Sequence, residues 1–188
     1  MEIRLCKSAD IQAAGAFYDR VVMWLDEHVN YPKWTYGVYP SVDFVRKVTA
    51  LQTLYICLEH DKIVGAFVIN NDPQGCYQKG DWTREIAEGN YLVIHSLAIA
   101  PEMQGRGLGS KVVVFCIEEA KQHGYPAIRL DVVPDNEPAK KLYEKNGFTF
   151  CGDYDLDRGI PEIPIFSLYE LNLYFFHDEN RRLLAPVT

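Results

Sequence analysis

Three glycines in five positions mark the most chemically suggestive stretch of the chain. PEMQGRGLGSK, residues 101–111, sets Gly105, Gly107 and Gly109 between an apolar run, YLVIHSLAIA, and a helix-like stretch, SKVVVFCIEEAKQHG. A strand that turns into a helix exposes the unpaired N–H groups of the first helical turn and the positive end of the helix dipole. An anion there gains roughly 0.3–1 kcal/mol, and up to ~2 kcal/mol when partly buried. A diphosphate takes several such N–H groups at once. Glycine keeps Cβ atoms out of the approach and tolerates positive φ. Arg106 and Lys111 add local positive charge. Just upstream, His95 stands among Val, Ile and Leu. An imidazole with a reference pKa near 6.5 suits taking a proton at neutral pH.

Two nucleotide-binding readings of the turn fail on spacing. A P-loop needs GxxxxGK followed by Ser or Thr. Here Ser110 and Lys111 stand where that second Gly and Lys would fall, and no hydroxyl follows the lysine. A dinucleotide fingerprint needs GxGxxG near the start of a domain. Here Ser110 takes the sixth position, and half the chain precedes the turn, although an acid, Asp131, does follow.

The elements that must position these residues are legible in the hydrophobic periodicity. EIRLC reads as a short strand. SADIQAAGAFYDRVVMWLDEHV carries Ile11, Ala14, Phe17, Val21, Trp24, Leu25 and Val29 at helical spacing, with Ser8 or Asp10 as its cap. Two prolines and a glycine in NYPKWTYGVYPS break that helix, and SVDFVRKVTAL forms a second, capped by Ser41. TLYICLEHDKIVGAFVIN is a hairpin turning at HDK. Residues 71–89 form a polar loop long enough to be functional. NYLVIHSLAIA reads as a central strand on which alternation puts His95, Leu97 and Ile99 on one face. The helix after the glycines presents Leu108, Val112, Phe115, Cys116 and Ala120 and stops at Gly124. AIRLDVV (strand), NEPAKKLYEKNG (helix), FTFCGDY (strand) and EIPIFSLYELNL (strand) complete the order; Pro164 favours an edge or bulge in the last. The tail HDENRRLLAPVT is expected to fray. The order β-α-α-β-β-β-α-β-α-β-β predicts a mixed α/β sheet of about seven strands.

QGRGLG, Gln104 to Gly109, matches Q/R-x-x-G-x-G/A and resembles the acyl-coenzyme A pyrophosphate loop of the GCN5-related N-acetyltransferase (GNAT) superfamily. LAIAP, Leu97 to Pro101, resembles the L-x-V-x-P strand end that precedes it. Downstream, Asn136, Ala139, Leu142, Tyr143, Gly147 and Phe148 fall on a second signature, N-x-x-A-x-x-L-Y-x-x-x-G-F. The resemblance is close over residues 90–150. Over 1–89 it holds only in the order of elements.

The resemblance implies a single domain over 1–188, of class α/β (α+β). Its sheet would be mostly antiparallel with one splayed parallel pair and helices on both faces. Residues 1–89 would form the acceptor side, 90–150 the acetyl-CoA-binding core, and 151–188 the last strands and tail. It implies acetyl-CoA as donor, contacted by Leu97, Ala98, Ile99, Gln104, Gly105, Arg106, Gly107, Leu108, Gly109, Ser110, Asn136, Lys140 and Tyr143. Tyr143 falls on the tyrosine that points its hydroxyl at the coenzyme sulfur, and a phenol pKa near 10 matches a thiol leaving group. His95 is the candidate base, where family members use a histidine, a nearby Glu or water. The reaction implied is direct attack by a primary amine in a ternary complex.

The acceptor would meet an aromatic cleft drawn from Trp34, Tyr36, Tyr39, Tyr55 and Trp82, with Glu59 as an alternative anchor or base. A small-molecule amine is the first expectation. Peptide N-terminal or lysine amines, and a non-catalytic coenzyme A sensor, are the alternatives. The 48% hydrophobic content excludes a disordered chain, and the net charge of −7 argues against a general nucleic-acid binder. Five cysteines without a CxxC pair suggest neither a disulfide framework nor a metal site. The N-terminus lacks a signal-peptide core, and no apolar run is long enough for a bilayer, so a cytoplasmic protein without membrane partners is expected. IPIFSLYELNLYFF is a candidate homodimer strand or simply core.

Overall fold

The computed structural model of the chain describes residues 1–173. Seven strands, β1 (Glu2–Leu5), β2 (Leu54–Glu59), β3 (Lys62–Asn70), β4 (Leu92–Ile99), β5 (Ala127–Val132), β6 (Thr149–Tyr154) and β7 (Phe166–Asn172), form one sheet in the order β1-β2-β3-β4-β5-β7-β6. All neighbours are antiparallel except β4 and β5. Four α-helices join them: α1 (Ile11–Asp26), α2 (Val42–Ala50), α3 (Leu108–Gln122) and α4 (Glu137–Lys145). The element order and the single parallel pair are those expected from the sequence.

Each element follows from local chemistry. α1 buries Ala14, Phe17, Tyr18, Val21, Val22 and Leu25, the stripe that a 3.6-residue period brings to one side. Its start differs from expectation. Ser8 lies in a short 3-10 turn, and the Asp10 carboxylate is drawn to the Arg4 guanidinium at 2.7 and 3.0 Å rather than capping α1. Ser41 caps α2 as expected, accepting from the Phe44 N–H at 3.3 Å. The β2–β3 hairpin turns on His60 and Asp61, both left-handed (φ 48° and 60°), which matches a two-residue turn to the strand twist. Gly124 (φ 72°) ends α3, with the Tyr125 N–H reaching back to the Ala120 carbonyl.

β7 is an interior strand, with Phe166 to Glu170 all buried between β5 and β6. Pro164 lies before the strand begins, so it neither marks an edge nor interrupts the ladder. Within the IPIFSLYELNLYFF run Phe166 to Glu170 and Leu173 are buried, while Pro164 and Ile165 are exposed; its last residues and the HDENRRLLAPVT tail lie outside the described residues. A main core joins α1, α2 and α3 to the sheet, and a second apolar cluster forms beneath the 71–89 loop around Tyr77, Tyr91, Leu156 and Leu168.

Candidate active site

The β4–β5 pair makes a notch. Only Leu92↔Ile128 and Val93↔Arg129 are paired, yet β4 runs on to Ile99 and β5 to Val132. Beyond Val93 the β5-facing edge of β4 is open, offering main-chain groups with no sheet partner. A bulge lies in the same stretch: Val68 pairs with His95 and Ala66 with Ala98, so Ser96 and Leu97 oppose a single residue. Ser96 has φ 51°, and two tyrosines hold it. The Tyr18 hydroxyl donates to its carbonyl at 2.9 Å, and the Tyr39 hydroxyl shares a hydrogen bond with its Oγ. The bulge shifts the alternation by one. His95 therefore shares its face with Ala98, not with Leu97 and Ile99 as plain alternation predicts.

One mouth of the notch opens on the glycine turn. After Ile99 the chain makes a 3-10 turn (Pro101–Met103), extends at Gln104, and enters α3 through Gly105 (φ 73°) and Gly107 (φ 76°). A Cβ at either would meet nothing within 4 Å, so the backbone angle rather than lack of space favours glycine there, and the turn is open to an incoming group. Gly109 serves otherwise: a Cβ would press on Leu142 at 3.1 Å, so this glycine lets α4 pack close. No described side chain caps α3, which leaves its first N–H groups available to an anion.

A cleft of about 740 Å³ runs along this turn. It is lined by Leu97, Ala98, Ile99, Gln104, Gly105, Gly107, Leu108, Gly109, Ser110, Asn136 and Tyr143, and by Trp34 across from them. Asn136 also caps α4 by accepting from the Ala139 N–H at 3.2 Å, so capping and cleft lining coexist. Tyr143 is 6% exposed, edge-on to Phe148, and its hydroxyl makes no hydrogen bond to a described residue. Burial raises its pKa, so the phenol keeps its proton.

Not every expected residue arrives. Arg106 turns to the Met103 sulfur and Lys140 to Glu137, while Lys141 and Lys145 line the cleft instead. Tyr55 stacks on Phe67 and meets Phe115 edge-on, with its hydroxyl toward Glu119, and Glu59 sits at the β2–β3 turn. Trp82 lies on Arg129 and donates to the Tyr77 carbonyl. Tyr36 is exposed on the 31–39 segment. Val21, Trp24 and Leu25 of α1, which periodicity placed on the apolar stripe of the helix, also line the cleft, as does His28 just after α1; the four-residue spacing of Trp24 and His28, whose rings stack at 4.1 Å, is the signal that could have marked them.

His95 stands where β4 and β5 part, outside the cleft lining, in a polar cluster with Asp131 of β5. Asp131 takes a bidentate pair from Arg158 at 2.8 and 2.7 Å and a Tyr77 hydroxyl at 2.7 Å. Burial alone would raise its pKa, but Arg158 and the Tyr77 donor hold it below the ordinary carboxylate value. Its charge also reaches His95, Tyr39 and Tyr143, which gathers both sides of the notch around one carboxylate. His95 Nε2 lies 3.1 Å from the Asn70 side-chain oxygen and 3.0 Å from the Asp72 carbonyl. That Asn70 oxygen also accepts the Asp72 N–H. Both partners of Nε2 are acceptors, so Nε2 carries the hydrogen and Nδ1 the free lone pair. Burial lowers the His95 pKa below 6.5, and the opposing pull of Asp131 does not restore it, so the ring is neutral at pH 7. An acid within an apolar strand, as in RLDVV, was the sequence signal for Asp131; nothing marked Arg158.

Among the described residues no helix is long and apolar enough to cross a membrane, and no His/Cys/Asp/Glu group could hold a metal ion. The family model described as "Acetyltransferase (GNAT) family" matches residues 21–148. A mycothiol acetyltransferase of Arthrobacter sp. is 33% identical over 87 residues, covering 44% of this chain and 27% of that protein. N-alpha-acetyltransferase 30 of Schizosaccharomyces pombe is 29% identical over 94 residues, 50% of this chain and 55% of that protein. The chain thus spans from about a sixth to about a half of the length of the curated relatives it matches. Among solved structures, yncA of Salmonella typhimurium, solved with its cofactor acetyl-CoA, superposes with a TM-score of 0.63 at 20% identity, covering 92% of this chain and 94% of that one.

Proposed function

Because this chain belongs to the acetyltransferase (GNAT) family, we propose that it moves an acetyl group from acetyl-CoA to the primary amine of a small molecule by direct attack in a ternary complex. One observation carries the reading. The unpaired edge of β4 joins an uncapped, glycine-entered helix on one side to a neutral, tautomer-fixed histidine on the other.

The glycine turn fits a diphosphate because its helix start is uncapped and its positive-φ glycines leave the approach clear. Gln104, Gly105 and Gly107 to Ser110 hold that group, Leu97 and Ile99 offer main-chain partners to the pantetheine arm, and Lys141 and Lys145 add the positive charge that the acidic whole lacks. When bound, acetyl-CoA supplies the thioester acetyl group. His95 takes the proton from the acceptor ammonium at Nδ1 while Nε2–H stays with Asn70 and Asp72. Tyr143 presents its hydroxyl as a hydrogen-bond donor to the departing sulfur; burial raises its pKa away from the match to a thiol expected of a free phenol, so it keeps its proton and stabilises the thiolate by that bond, and the thiolate takes its proton from solvent. Tyr39, whose hydroxyl shares a hydrogen bond with Ser96 Oγ at the bulge, marks the acceptor side of the notch. A peptide N-terminus is the alternative acceptor, in line with the name of the Schizosaccharomyces relative. Five free cysteines, four of them buried, suit a reducing cytoplasm.

The pH dependence has a definite sign. His95 has a depressed pKa, so kcat rises through that value below pH 6.5 as the ring loses its proton, and it is level by neutrality. His95→Ala is expected to lower kcat by ~10²-fold, within the usual worth of a general base, and to erase the acidic limb. Tyr143→Phe is expected to lower kcat while leaving the limb intact. Both should keep the KM for acetyl-CoA. Steady-state pH profiles of the three proteins check this, and an unchanged acidic limb in His95→Ala removes His95 from the base role.

A further inference from the structure

We propose that Arg158 is a positioning residue that straps the Asn70–Gln74 turn to β5 and thereby fixes the orientation and tautomer of His95. The inference rests on the proposed role of His95 as base.

The strap is built from four hydrogen bonds of one guanidinium. Two go to the Asp131 carboxylate, and they fix the arginine to the strand that flanks the notch. The other two go to the turn: Nε donates to the Gln74 carbonyl at 2.6 Å, and one terminal nitrogen to the Pro73 carbonyl at 3.0 Å. The next carbonyl upstream, that of Asp72, is the one that accepts from His95 Nε2. Apart from the strap, the Asn71 side-chain amide donates to the Gly89 carbonyl at 3.1 Å and, just past the turn, the Cys76 N–H donates to the Leu156 carbonyl at 3.0 Å; neither tie reaches β5. Asn71, Asp72 and Gln74 are exposed. Two short side-chain turns, Asn70 to the Asp72 N–H and Asp72 to the Gln74 N–H, shape it without attaching it to the sheet. Pro73 is buried and donates nothing. Beneath the guanidinium lies the Phe166 ring at 4.6 Å, which confines the plane of the fork. A planar fork with donors in two directions suits this double duty; an ammonium does not reproduce it.

The charged and titratable groups facing His95 are Asp131 from β5, Arg158 from the segment between β6 and β7, and Asp72 from the turn after β3. Around Asp131 stand Tyr39, Tyr77 and Tyr143 as well. Removing Arg158 therefore does two separable things. It unfastens the Asp72 carbonyl, and it leaves Asp131 unopposed.

The test uses Arg158→Lys, which keeps the charge but loses the fork, and the pair Arg158→Met/Asp131→Asn, which removes both charges together. The readout is the ¹⁵N spectrum of the His95 ring, followed with pH and identified by its loss in His95→Ala. Wild type is expected to show Nε2–H with a midpoint below 6.5. Arg158→Lys is expected to show mixed tautomers and kcat lowered at least tenfold with the acetyl-CoA KM within twofold. The double variant should also show mixed tautomers. A wild-type tautomer in Arg158→Lys would overturn the strap. So would recovery of the wild-type tautomer in the double variant, because charge alone would then suffice. The spectrum needs no turnover, so a failure of the base role shows separately, as kcat kept in His95→Ala.

Discussion

Gly107→Asp is expected to weaken acetyl-CoA binding by at least 100-fold in calorimetry while leaving the fold intact. The residue is the N-cap of α3 at φ 76°, and its missing Cβ would stand in open space. Two consequences follow. Left-handed backbone costs an ordinary residue roughly 1–2 kcal/mol, but Asp visits that region more readily, so the stability loss is small. The carboxylate, in contrast, lies at the mouth of the N–H cradle, where it competes for those donors and repels a diphosphate. Gly107→Asn is the control: nearly the same shape, tolerant of the same φ, without the charge. It is expected to lose far less affinity. Equal affinity for wild type and Gly107→Asp would mean that the diphosphate binds elsewhere.

Arg129→Met is expected to destabilise the protein by about 3–5 kcal/mol, the usual result of removing one partner of a buried ion pair. Arg129 and Glu170 are each 2% exposed. The guanidinium gives two donors to one Glu170 oxygen at 3.0 and 2.9 Å and a third to the Arg84 carbonyl at 3.0 Å. Its face is clamped between the Trp82 and Tyr91 rings, at 4.1 and 4.3 Å from their centroids. The other Glu170 oxygen holds Thr83 through its N–H and its hydroxyl. Methionine leaves a buried carboxylate with no cation and releases the 71–89 loop from the sheet. A fall in melting temperature of roughly 6–20 °C corresponds to that energy for a chain of this size. Removing both charges, as Arg129→Met/Glu170→Leu, should cost less than the single change, since no unpaired ion remains. A single variant within 1 kcal/mol of wild type contradicts the assignment of Arg129 as the loop's anchor.

The donor half of the site was legible because its requirements are local. A glycine at positive φ, a helix entered without a cap and a register of Asn136 and Tyr143 on one short helix all leave marks within a few residues. The acceptor half was legible only in fragments. His95 and Tyr39 stood out by type, but Arg158 meets Asp131 across 27 positions of sequence and Pro73 across 85, and no local pattern records such a meeting. Trp82 and Tyr55 misled for a related reason. Aromatic side chains mark clefts and cores alike, and burial of these two against Arg129 and Phe115 is a fact of tertiary packing. The bulge at Ser96 shows the same limit: a one-residue shift in register, invisible in the alternation of VIHSLAI, decides which face His95 occupies.

The central claim is amine-dependent acetyl transfer at the β4–β5 notch. Its most direct test is the release of free thiol from acetyl-CoA by the purified protein, followed across a panel of small primary amines and N-terminal peptides. The expected result is thiol release that needs an acceptor amine, is strongest with one class of small amine, and falls with Tyr143→Phe and His95→Ala. Tight binding of acetyl-CoA with no thiol release from any amine would contradict it.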